Sequence, residues 1–462
     1  MFLRYSVDRI VRSVKQCYST KTKLATLTNT ERVKFLRQMA LPKSREDPVI
    51  LKLDTPDFHS LFTDELKSLA SLFKEYGYEV RIAGGAVRDL LSGVKPTDLD
   101  FATTATPAQM KEMFTAESVR MINANGEKHG TITPRINDKE NFEVTTLRID
   151  VVTDGRHAEV QFTTDWLLDA LRRDLTINSM FLGLDGSVYD YFYGYDDLQA
   201  RRVKFVGDPV TRIQEDYLRI LRYFRFYGKI SKEPDQHDEE TLKAIRDNKE
   251  GLKNVSGERI WMELKKTLEG KFAGELLLKI IECGLGPLIG LPENPNVHEL
   301  KLVLERSRGL KLNPITLLSA TLYNQDDAAA LNARLKLSVF ERDLAVFIVE
   351  HRPPKPNIKP LMPYQQLVLK INNKFGYQYV VEVLKYNNSS YLEEFQKWTI
   401  PKFPVTGNML KGKGVESGRK MGLVIAELRN YWADHEYKLT PDEILKQLPN
   451  VLDVLAEKRK NK

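Results

Sequence analysis

The chain has 462 residues, a formal net charge of +7 and a hydrophobic content of 42%. This length allows roughly three or four structural units, because domains average about 100–200 residues. No stretch approaches the roughly 18 consecutive apolar residues of a membrane-spanning helix, so we expect no membrane segment. Only Cys17 and Cys283 are present. Two cysteines exclude a disulfide framework and a zinc site built from several cysteines.

The first two dozen residues are rich in basic side chains and contain a single acidic residue, Asp8. Apolar residues and serines fill the gaps, and an Arg-rich, acid-poor segment of this kind is typical of a mitochondrial transit peptide. We therefore predict a transit peptide over residues 1–30 and a mitochondrial location, with cytoplasmic and nuclear pools as a further expectation. A disordered basic tail is the alternative. The basic residues are Arg4, Arg9, Arg12, Lys15, Lys21 and Lys23.

The pattern between residues 60 and 186 alternates short β-branched runs with helical stretches, which predicts an α/β region with a mixed sheet. Residues 78–83 predict a strand, Gly84-Gly85 a turn and residues 86–92 a short helix. After residue 208 helical periodicity continues to the end, so the remainder is predicted to be mainly α-helical. Further predicted strands cover residues 130–133, 142–147 and 158–162.

Asp98-Leu99-Asp100 follows the short helix. In a strand alternate residues share a face, so both carboxylates are predicted to project to one side, with Leu99 and Phe101 buried behind them. Mg²⁺ prefers oxygen ligands and is commonly held by one or two carboxylates together with substrate phosphates. The pair therefore predicts a magnesium site with a catalytic role, although an Asp-x-Asp by itself also occurs in turns.

Gly84 and Gly85 stand before the same carboxylate pair. Two glycines allow a backbone to approach a triphosphate closely, and the amide groups at the start of the next helix can face phosphate oxygens. Arg88 lies one turn along that helix and is a candidate phosphate ligand. The combination of the two glycines and the two acids predicts a nucleotide site more strongly than either motif alone.

A second polar cluster occurs within seven residues, where two adjacent arginines precede an acid and an amide. Guanidinium groups can bind phosphates, and carboxylate and amide oxygens can accept from ribose hydroxyls. The alternative is an ordinary polar helix surface. The predicted nucleotide-binding residues here are Arg172, Arg173, Asp174 and Asn178.

Residues 215–224 form a third cluster when placed on a helix. Four charged residues then gather on one arc, while the opposite arc is apolar. Ion pairs on a helix surface would explain the charged arc equally well. The charged residues are Glu215, Asp216, Arg219 and Arg222.

A fixed carboxylate and guanidinium pair also has a possible role in base recognition. A carboxylate only accepts hydrogen bonds and a guanidinium only donates them. Cytosine and adenine present an amino donor beside a ring-nitrogen acceptor, whereas guanine and uracil present a carbonyl acceptor beside an N–H donor. A fixed pair of one carboxylate and one guanidinium therefore matches C and A and leaves unpaired polar groups against G and U.

A basic, glycine-rich stretch lies between residues 401 and 430. Lysines and arginines in such a stretch can contact a phosphate backbone and supply salt-dependent affinity without sequence specificity. The alternative is a solvated basic loop. The candidate RNA-binding residues are Lys411, Lys413, Arg419 and Lys420.

These motifs together resemble a known family. The strings Gly84-Gly85-Ala86-Val87-Arg88-Asp89 and Lys95-Pro96-Thr97-Asp98-Leu99-Asp100-Phe101 are similar to the metal and triphosphate motif of class II tRNA nucleotidyltransferases, the CCA-adding enzymes. The resemblance implies an α+β head of the polymerase-β-like superfamily, followed by a mainly α-helical neck, body and tail. It places the head at 55–200, the neck at 201–270, the body at 271–355 and the tRNA-binding tail at 356–462.

The resemblance also implies particular roles. Glu143 would be a third catalytic carboxylate, residues 172–178 would distinguish ribonucleotides, and Asp216 and Arg219 would select the base without a nucleic-acid template. Residues 257–263 would brace the selecting helix without touching substrate, and residues 148–157 would form a loop between strands. The implied activity is addition of C, C and A from CTP and ATP to the tRNA 3′ end with Mg²⁺ as cofactor. A poly(A) polymerase of the same superfamily and a non-catalytic tRNA-binding protein are the alternatives.

Overall fold

The computed structural model describes residues 27–122, 124–154, 157–353, 361–371 and 374–460. The predicted leader, residues 1–30, lies almost entirely outside the described residues. The chain divides into two compact units, Met1–Leu288 and Ile289–Lys462. Among the described helices, none combines the length and the apolar composition that crossing a membrane would require.

The first unit is built on a nine-stranded mixed sheet and a separate two-stranded hairpin. The strands are β1 (Val49–Lys52), β2 (Val80–Ala83), β3 (Asp100–Thr103), β4 (Arg120–Ile122), β5 (Thr131–Ile136), β6 (Glu140–Asn141), β7 (Glu143–Thr146), β8 (Arg148–Asp154), β9 (His157–Phe162), β10 (Phe181–Gly183) and β11 (Ser187–Tyr189). The sheet order is β1-β11-β10-β2-β3-β7-β5-β4, β6 pairs with β5, and β8 pairs with β9. The β3–β7 pair is parallel, which aligns Asp100 with Glu143.

Helices accompany the sheet, and the part of the first unit that follows the last strand is helical. They are α1 (Asn29–Ala40), α2 (Pro56–His59), α3 (Asp64–Glu75), α4 (Gly85–Leu91), α5 (Pro107–Ala116), α6 (Trp166–Leu171), α7 (Gly194–Gln199), α8 (Pro209–Glu215), α9 (Arg219–Ile230), α10 (Glu239–Asn248), α11 (Gly257–Leu268) and α12 (Ala273–Glu282). Short 3-10 segments are Leu41–Lys43, Ala124–His129, Thr176–Asn178, Lys249–Asn254 and Pro287–Ile289. Local sequence fixes many helix starts: Thr106 and Gln109, for example, form a reciprocal capping box at α5.

All secondary-structure elements among the described residues of the second unit are helices. Its helices are α13 (Val297–Arg306), α14 (Pro314–Ser319), α15 (Gln325–Leu335), α16 (Val339–His351), α17 (Met362–Lys370), α18 (Gly376–Tyr386), α19 (Leu392–Lys397), α20 (Gly407–Gly412), α21 (Arg419–Asp434), α22 (Pro441–Leu445) and α23 (Leu448–Lys460). The last four helices have a common core in which Leu410, Leu428 and Ile444 are fully buried beside Trp432.

The predicted α+β head followed by helical structure is confirmed. The strand expected at 78–83 is β2, the following short helix is α4, and the strands expected near 131, 143 and 158 are β5, β7 and β9. The apolar face of α9 was also expected, and Leu221 and Phe224 are buried as predicted. Alternating and helical periodicity carried this information because each of these elements buries one face.

Three local predictions are wrong. The segment 215–224 is not one helix, because α8 ends at Glu215, Asp216 is extended (φ −149°, ψ 107°) and α9 begins at Arg219. Asp98 precedes β3 instead of lying within it, and Leu99 is only half-buried. The segment from Arg148 to Asp154, expected as a loop, forms β8, because it pairs with β9 along its length.

Candidate nucleotide-binding site

An open cavity of about 610 Å³ lies in the first unit between the sheet edge, α4 and the start of α9. Its lining contains eight cationic and five acidic side chains, so the excess of positive charge favours a polyanionic ligand. The cavity brings together twelve of the residues predicted from the sequence: Gly84, Gly85, Arg88, Asp98, Asp100, Arg172, Arg173, Asp174, Asn178, Asp216, Arg219 and Arg222.

The carboxylate pair lies at the sheet edge of this cavity. Asp100 is the first residue of β3, Asp98 lies in the bend before it, and both are solvent-exposed. Loss of hydration raises the pKa of Asp100; the Arg173 charge opposes this rise and the Asp98 charge adds to it. Two exposed carboxylates that repel each other, opposite a wall of arginines, suit a hard cation bridged to phosphate.

Glu143 lies next to this pair but outside the cavity lining. It is exposed and begins β7, and its Cα is in register with that of Asp100 on the neighbouring parallel strand. Side chains in register on adjacent strands share a face of the sheet. The described residues contain no group of three or more His, Cys, Asp or Glu side chains arranged to hold a metal ion. The position and oxygen chemistry of Asp98 and Asp100 make them the candidate ligands, with Glu143 adjacent.

The turn at Gly84 requires a residue without a side chain. Gly84 has φ +68°, and a Cβ at this position would stand 3.0 Å from Nη1 of Arg173. Its amide donates to the Met180 carbonyl oxygen at 3.0 Å, which fixes the turn against the sheet. The left-handed backbone and the close guanidinium together require glycine.

A buried aspartate outside the set of predicted site residues holds the arginine pair. Asp169 is 1% exposed; its Oδ1 accepts from Arg172 at 2.8 Å and its Oδ2 from Arg173 at 3.1 Å. Oδ1 also accepts from the Arg148 backbone amide at 3.1 Å. Burial opposes ionisation of Asp169, but the charges of Arg172 and Arg173 outweigh it and lower its pKa. Sequence offered only a weak signal, the spacing of three and four residues between this acid and the two arginines.

Asp174 and Asn178 are also engaged within the protein. Arg222 donates to Asp174 Oδ2 at 2.6 Å, and the Leu175 amide donates to Asp174 Oδ1 at 2.8 Å. Asn178 Oδ1 accepts from Arg88 Nη1 at 2.5 Å. Asp174 is 8% exposed and Asn178 is 7% exposed. Asp174 therefore ties Arg222 of α9, and Asn178 ties Arg88 of α4, to the same short stretch of chain.

The predicted selecting pair lies at the break between α8 and α9. Asp216 Oδ1 accepts from the Leu218 amide at 3.1 Å, and its Oδ2 accepts from Arg259 Nη2 at 2.8 Å. Arg219 Nη1 donates to Glu215 at 2.6 Å, and its Nη2 donates to the Arg172 carbonyl oxygen at 2.8 Å. Each side chain is thus held by other partners in a fixed position. The break, which the helical projection missed, presents both toward the cavity.

Several cavity residues were not predicted as ligands. Arg225 and Lys229 follow Arg222 by three and seven residues, so helical periodicity could have found them on the same face of α9. Arg259 was expected to brace α9 away from the substrate, yet its guanidinium lines the cavity. Lys229 Nζ contacts both Asp89 carboxylate oxygens at 2.9 and 3.0 Å, an interaction between distant segments that no local pattern reveals.

The candidate RNA-binding residues lie on the surface of the second unit. Lys411 is near the end of α20, Lys413 follows it, and Arg419 and Lys420 begin α21. All four are exposed, while neighbouring Leu410 and Val415 are buried in the core of the last helices. The basic residues are therefore displayed on a folded helical support.

Comparison with known proteins identifies the family. A family profile described as "Poly A polymerase head domain" matches residues 80–204, and one described as "Probable RNA and SrmB- binding site of polymerase A" matches residues 236–289. The chain is 53% identical to the mitochondrial CCA tRNA nucleotidyltransferase 1 of Mus musculus over 86% of this chain and 92% of the relative. This chain belongs to the CCA tRNA nucleotidyltransferases. It is an enzyme that transfers nucleotidyl groups.

Two further relatives extend this result. The mitochondrial CCA tRNA nucleotidyltransferase 1 of Danio rerio is 51% identical, over 90% of this chain and 98% of the relative. The crystal structure of the Bacillus stearothermophilus CCA-adding enzyme in complex with CTP matches with a TM-score of 0.64 and 24% identity. That match covers 88% of this chain and all of the other chain, and it shows that the two share a fold.

Proposed function

We propose that this CCA tRNA nucleotidyltransferase adds C, C and A stepwise to tRNA 3′ ends from CTP and ATP and releases pyrophosphate. The observation that carries the proposal is the cavity that combines Asp98 and Asp100, an arginine-rich wall and the fixed pair Asp216 and Arg219. The two carboxylates at the sheet edge suit nucleotidyl transfer, and the arginines suit binding of a triphosphate. Asp216 and Arg219 suit selection of C and A. The identities to named CCA tRNA nucleotidyltransferases support the same activity.

Asp98 and Asp100 would hold Mg²⁺, with Glu143 beside them. Their exposure, mutual repulsion and oxygen donors fit this ion. When bound, Mg²⁺ would favour ionisation of the attacking 3′-hydroxyl and neutralise charge on the pyrophosphate. Members of nucleotidyltransferase families generally use divalent metal ions; the choice of magnesium is part of this proposal.

The arginines of the cavity would bind and orient the triphosphate. Arg172 and Arg173 are held rigidly by Asp169, and Arg88 is held by Asn178, so they reorganise little when the phosphates arrive. Preorganised guanidinium groups can form bidentate hydrogen bonds with phosphate oxygens. Gly84 keeps the backbone at this point free of a side chain.

Asp216 and Arg219 would select the base. Each Asp216 oxygen already accepts one hydrogen bond and has a second lone pair, so the carboxylate can accept from an exocyclic amino group. Arg219 uses three N–H groups on partners among the described residues, leaving two of its five to donate to a ring nitrogen or a base carbonyl oxygen. Guanine and uracil would place like groups against this pair.

The test is incorporation of labelled nucleotides into tRNA that lacks its 3′ terminus. We expect two C residues from CTP alone and a complete C-C-A end from CTP with ATP. An A tract with no C incorporation would replace this proposal with poly(A) polymerase activity. Binding of tRNA with no incorporation from either nucleotide would indicate a non-catalytic tRNA-binding protein.

The mitochondrial names of two relatives support a mitochondrial location for this chain as well. Cytoplasmic and nuclear pools are a further part of the proposal. We also propose the functional division into head (55–200), neck (201–270), body (271–355) and tRNA-binding tail (356–462). The exposed cations Lys411, Lys413, Arg419 and Lys420 support the assignment of the tail.

A further inference from the structure

The aromatic ring of Phe226 lies among three arginines of the cavity. Phe226 is on α9, is 5% exposed and lines the cavity. Its ring centroid is 5.0 Å from the Arg88 guanidinium carbon, 5.4 Å from that of Arg222 and 4.8 Å from that of Arg225. Distances below about 6 Å permit attraction between a guanidinium and the ring quadrupole. We call Arg88, Arg222 and Arg225 the arginine cluster.

Like charges held this close repel each other. Burial lowers the pKa of Arg88, and the positive charge of Arg225 lowers it further, although Asp89 opposes this change. Acidic partners hold the other two members, since Arg222 contacts Asp174 at 2.6 Å and Arg225 contacts Glu263 at 3.1 Å. These partners tether each guanidinium from one side, and the shared ring contacts all three.

We propose that Phe226 is a positioning residue: its ring holds the arginine cluster in place to bind the polyphosphate of the incoming nucleotide, with Arg225 as an additional phosphate ligand. This inference rests on the proposed function. The cluster lies in the same cavity as Gly84 and the Asp98 and Asp100 pair, where the phosphates would meet the metal site. An arginine held in place before binding loses less side-chain entropy when it binds an anion.

The proposal predicts a specific kinetic pattern. CTP and ATP share their triphosphate, so weakening the ring quadrupole raises both KM values together, and the choice between C and A is preserved. The inhibition constant of inorganic pyrophosphate rises in parallel. Because base selection and the metal site do not involve the ring, kcat stays within about twofold, while loss of attractions of this kind raises KM roughly three- to tenfold.

The test replaces Phe226 with mono-, di- and trifluorinated phenylalanine, which weakens the quadrupole in steps and leaves the ring shape nearly unchanged. Initial rates give KM for CTP, ATP and tRNA, and calorimetry gives the affinity for inorganic pyrophosphate. Phe224 provides the matched control: it lies on the same helix, is fully buried outside the cavity lining, and packs on Tyr223. Fluorination there leaves both nucleotide KM values unchanged.

A stepwise increase in KM for both nucleotides, with weaker pyrophosphate binding, supports the proposal. Phe226→Tyr keeps the wild-type KM and Phe226→Leu shows the full increase. Unchanged nucleotide KM and pyrophosphate affinity across the fluorinated series overturn the proposal while leaving CCA addition intact. An increase confined to the KM for tRNA also overturns it, because the cluster would then contact the RNA backbone. Absence of C and A incorporation by the unmodified enzyme would instead contradict the proposed function.

Discussion

Asp169 shows how a single buried residue positions an active-site wall. The acid is not in the cavity lining, yet both of its oxygens are taken by Arg172 and Arg173. Removing one member of a buried ion pair leaves the remaining charge without compensation. The position of these arginines therefore depends on a residue that no ligand would touch.

We predict that Asp169→Asn lowers the free energy of unfolding by about 3–5 kcal/mol and raises the KM for nucleotides. The pKa of Asp169 is lowered in the folded state, so its stabilising contribution is present above the unfolded pKa of about 3.9. That contribution is lost as pH falls through the folded pKa. Denaturant unfolding should show a constant difference between wild type and variant near neutral pH that shrinks below about pH 4.

The control for this prediction is Asp64→Asn. Asp64 pairs with Lys67 at 3.2 Å on the surface, with 88% of its side chain exposed. An exposed ion pair contributes less than about 1 kcal/mol. Equal losses of stability in the two variants would contradict a special role for the buried acid.

A second prediction concerns Asp98. Asp98→Ala removes an exposed carboxylate that makes no contact with the hydrophobic core, so the fold should persist. If this acid supports the transfer step, kcat falls by at least roughly a hundredfold. The dissociation constant for tRNA, measured by filter binding, stays within about twofold. Loss of tRNA binding with turnover retained would remove Asp98 from the metal site.

At the scale of elements, the break between α8 and α9 is the feature on which selection depends. On a continuous helix Asp216 and Arg219 would be ordinary surface neighbours. The extended backbone at Asp216 allows its side chain to accept from the Leu218 amide and to reach Arg259 on α11. The selecting pair is thus fixed by two helices and not by one.

This arrangement predicts that Arg259→Ala loosens base choice. Without Arg259, Asp216 loses its charged partner and can move, so incorporation of G or U should rise by about tenfold or more in a four-nucleotide competition. Lys266→Ala, an exposed change on the same helix, is the matched control. Wild-type selectivity in the Arg259 variant would show that base selection does not depend on the hydrogen bond from Arg259 to Asp216.

Local sequence patterns account for only some of these elements. Strand β2, the glycine turn and the buried face of α9 follow from such patterns, because each buries one face or needs one backbone conformation. The end of α8 and the start of α9 could not be predicted from such patterns. The break lies at Asp216, whose side chain accepts a hydrogen bond from Arg259, 43 residues away. The contacts of Lys229 with Asp89 and of Phe226 with Arg88 were missed for a similar reason, because these residues become neighbours only after folding. Asp169 is close in sequence to Arg172 and Arg173, and it was missed because local sequence does not reveal its burial.

At the scale of the whole molecule, catalysis and tRNA affinity should be separable. The candidate catalytic residues belong to the first unit, and the four exposed cations from Lys411 to Lys420 belong to the second. Each phosphate that a cation neutralises releases a counterion, so the logarithm of affinity falls with the logarithm of salt concentration.

Replacing Lys411, Lys413, Arg419 and Lys420 with glutamine should therefore weaken tRNA binding. The slope should fall by up to roughly 2.8–3.6, because each phosphate that is no longer neutralised accounts for roughly 0.7–0.9. The kcat at saturating tRNA should stay within about twofold. Four other exposed cations of the second unit provide a control with equal charge loss: Lys301, Arg308, Lys336 and Lys397. If only net charge mattered, both quadruple variants would show the same reduction in the salt slope. A defined RNA-binding surface predicts a reduced slope only in the first variant. This difference decides whether the tail binds tRNA through these residues.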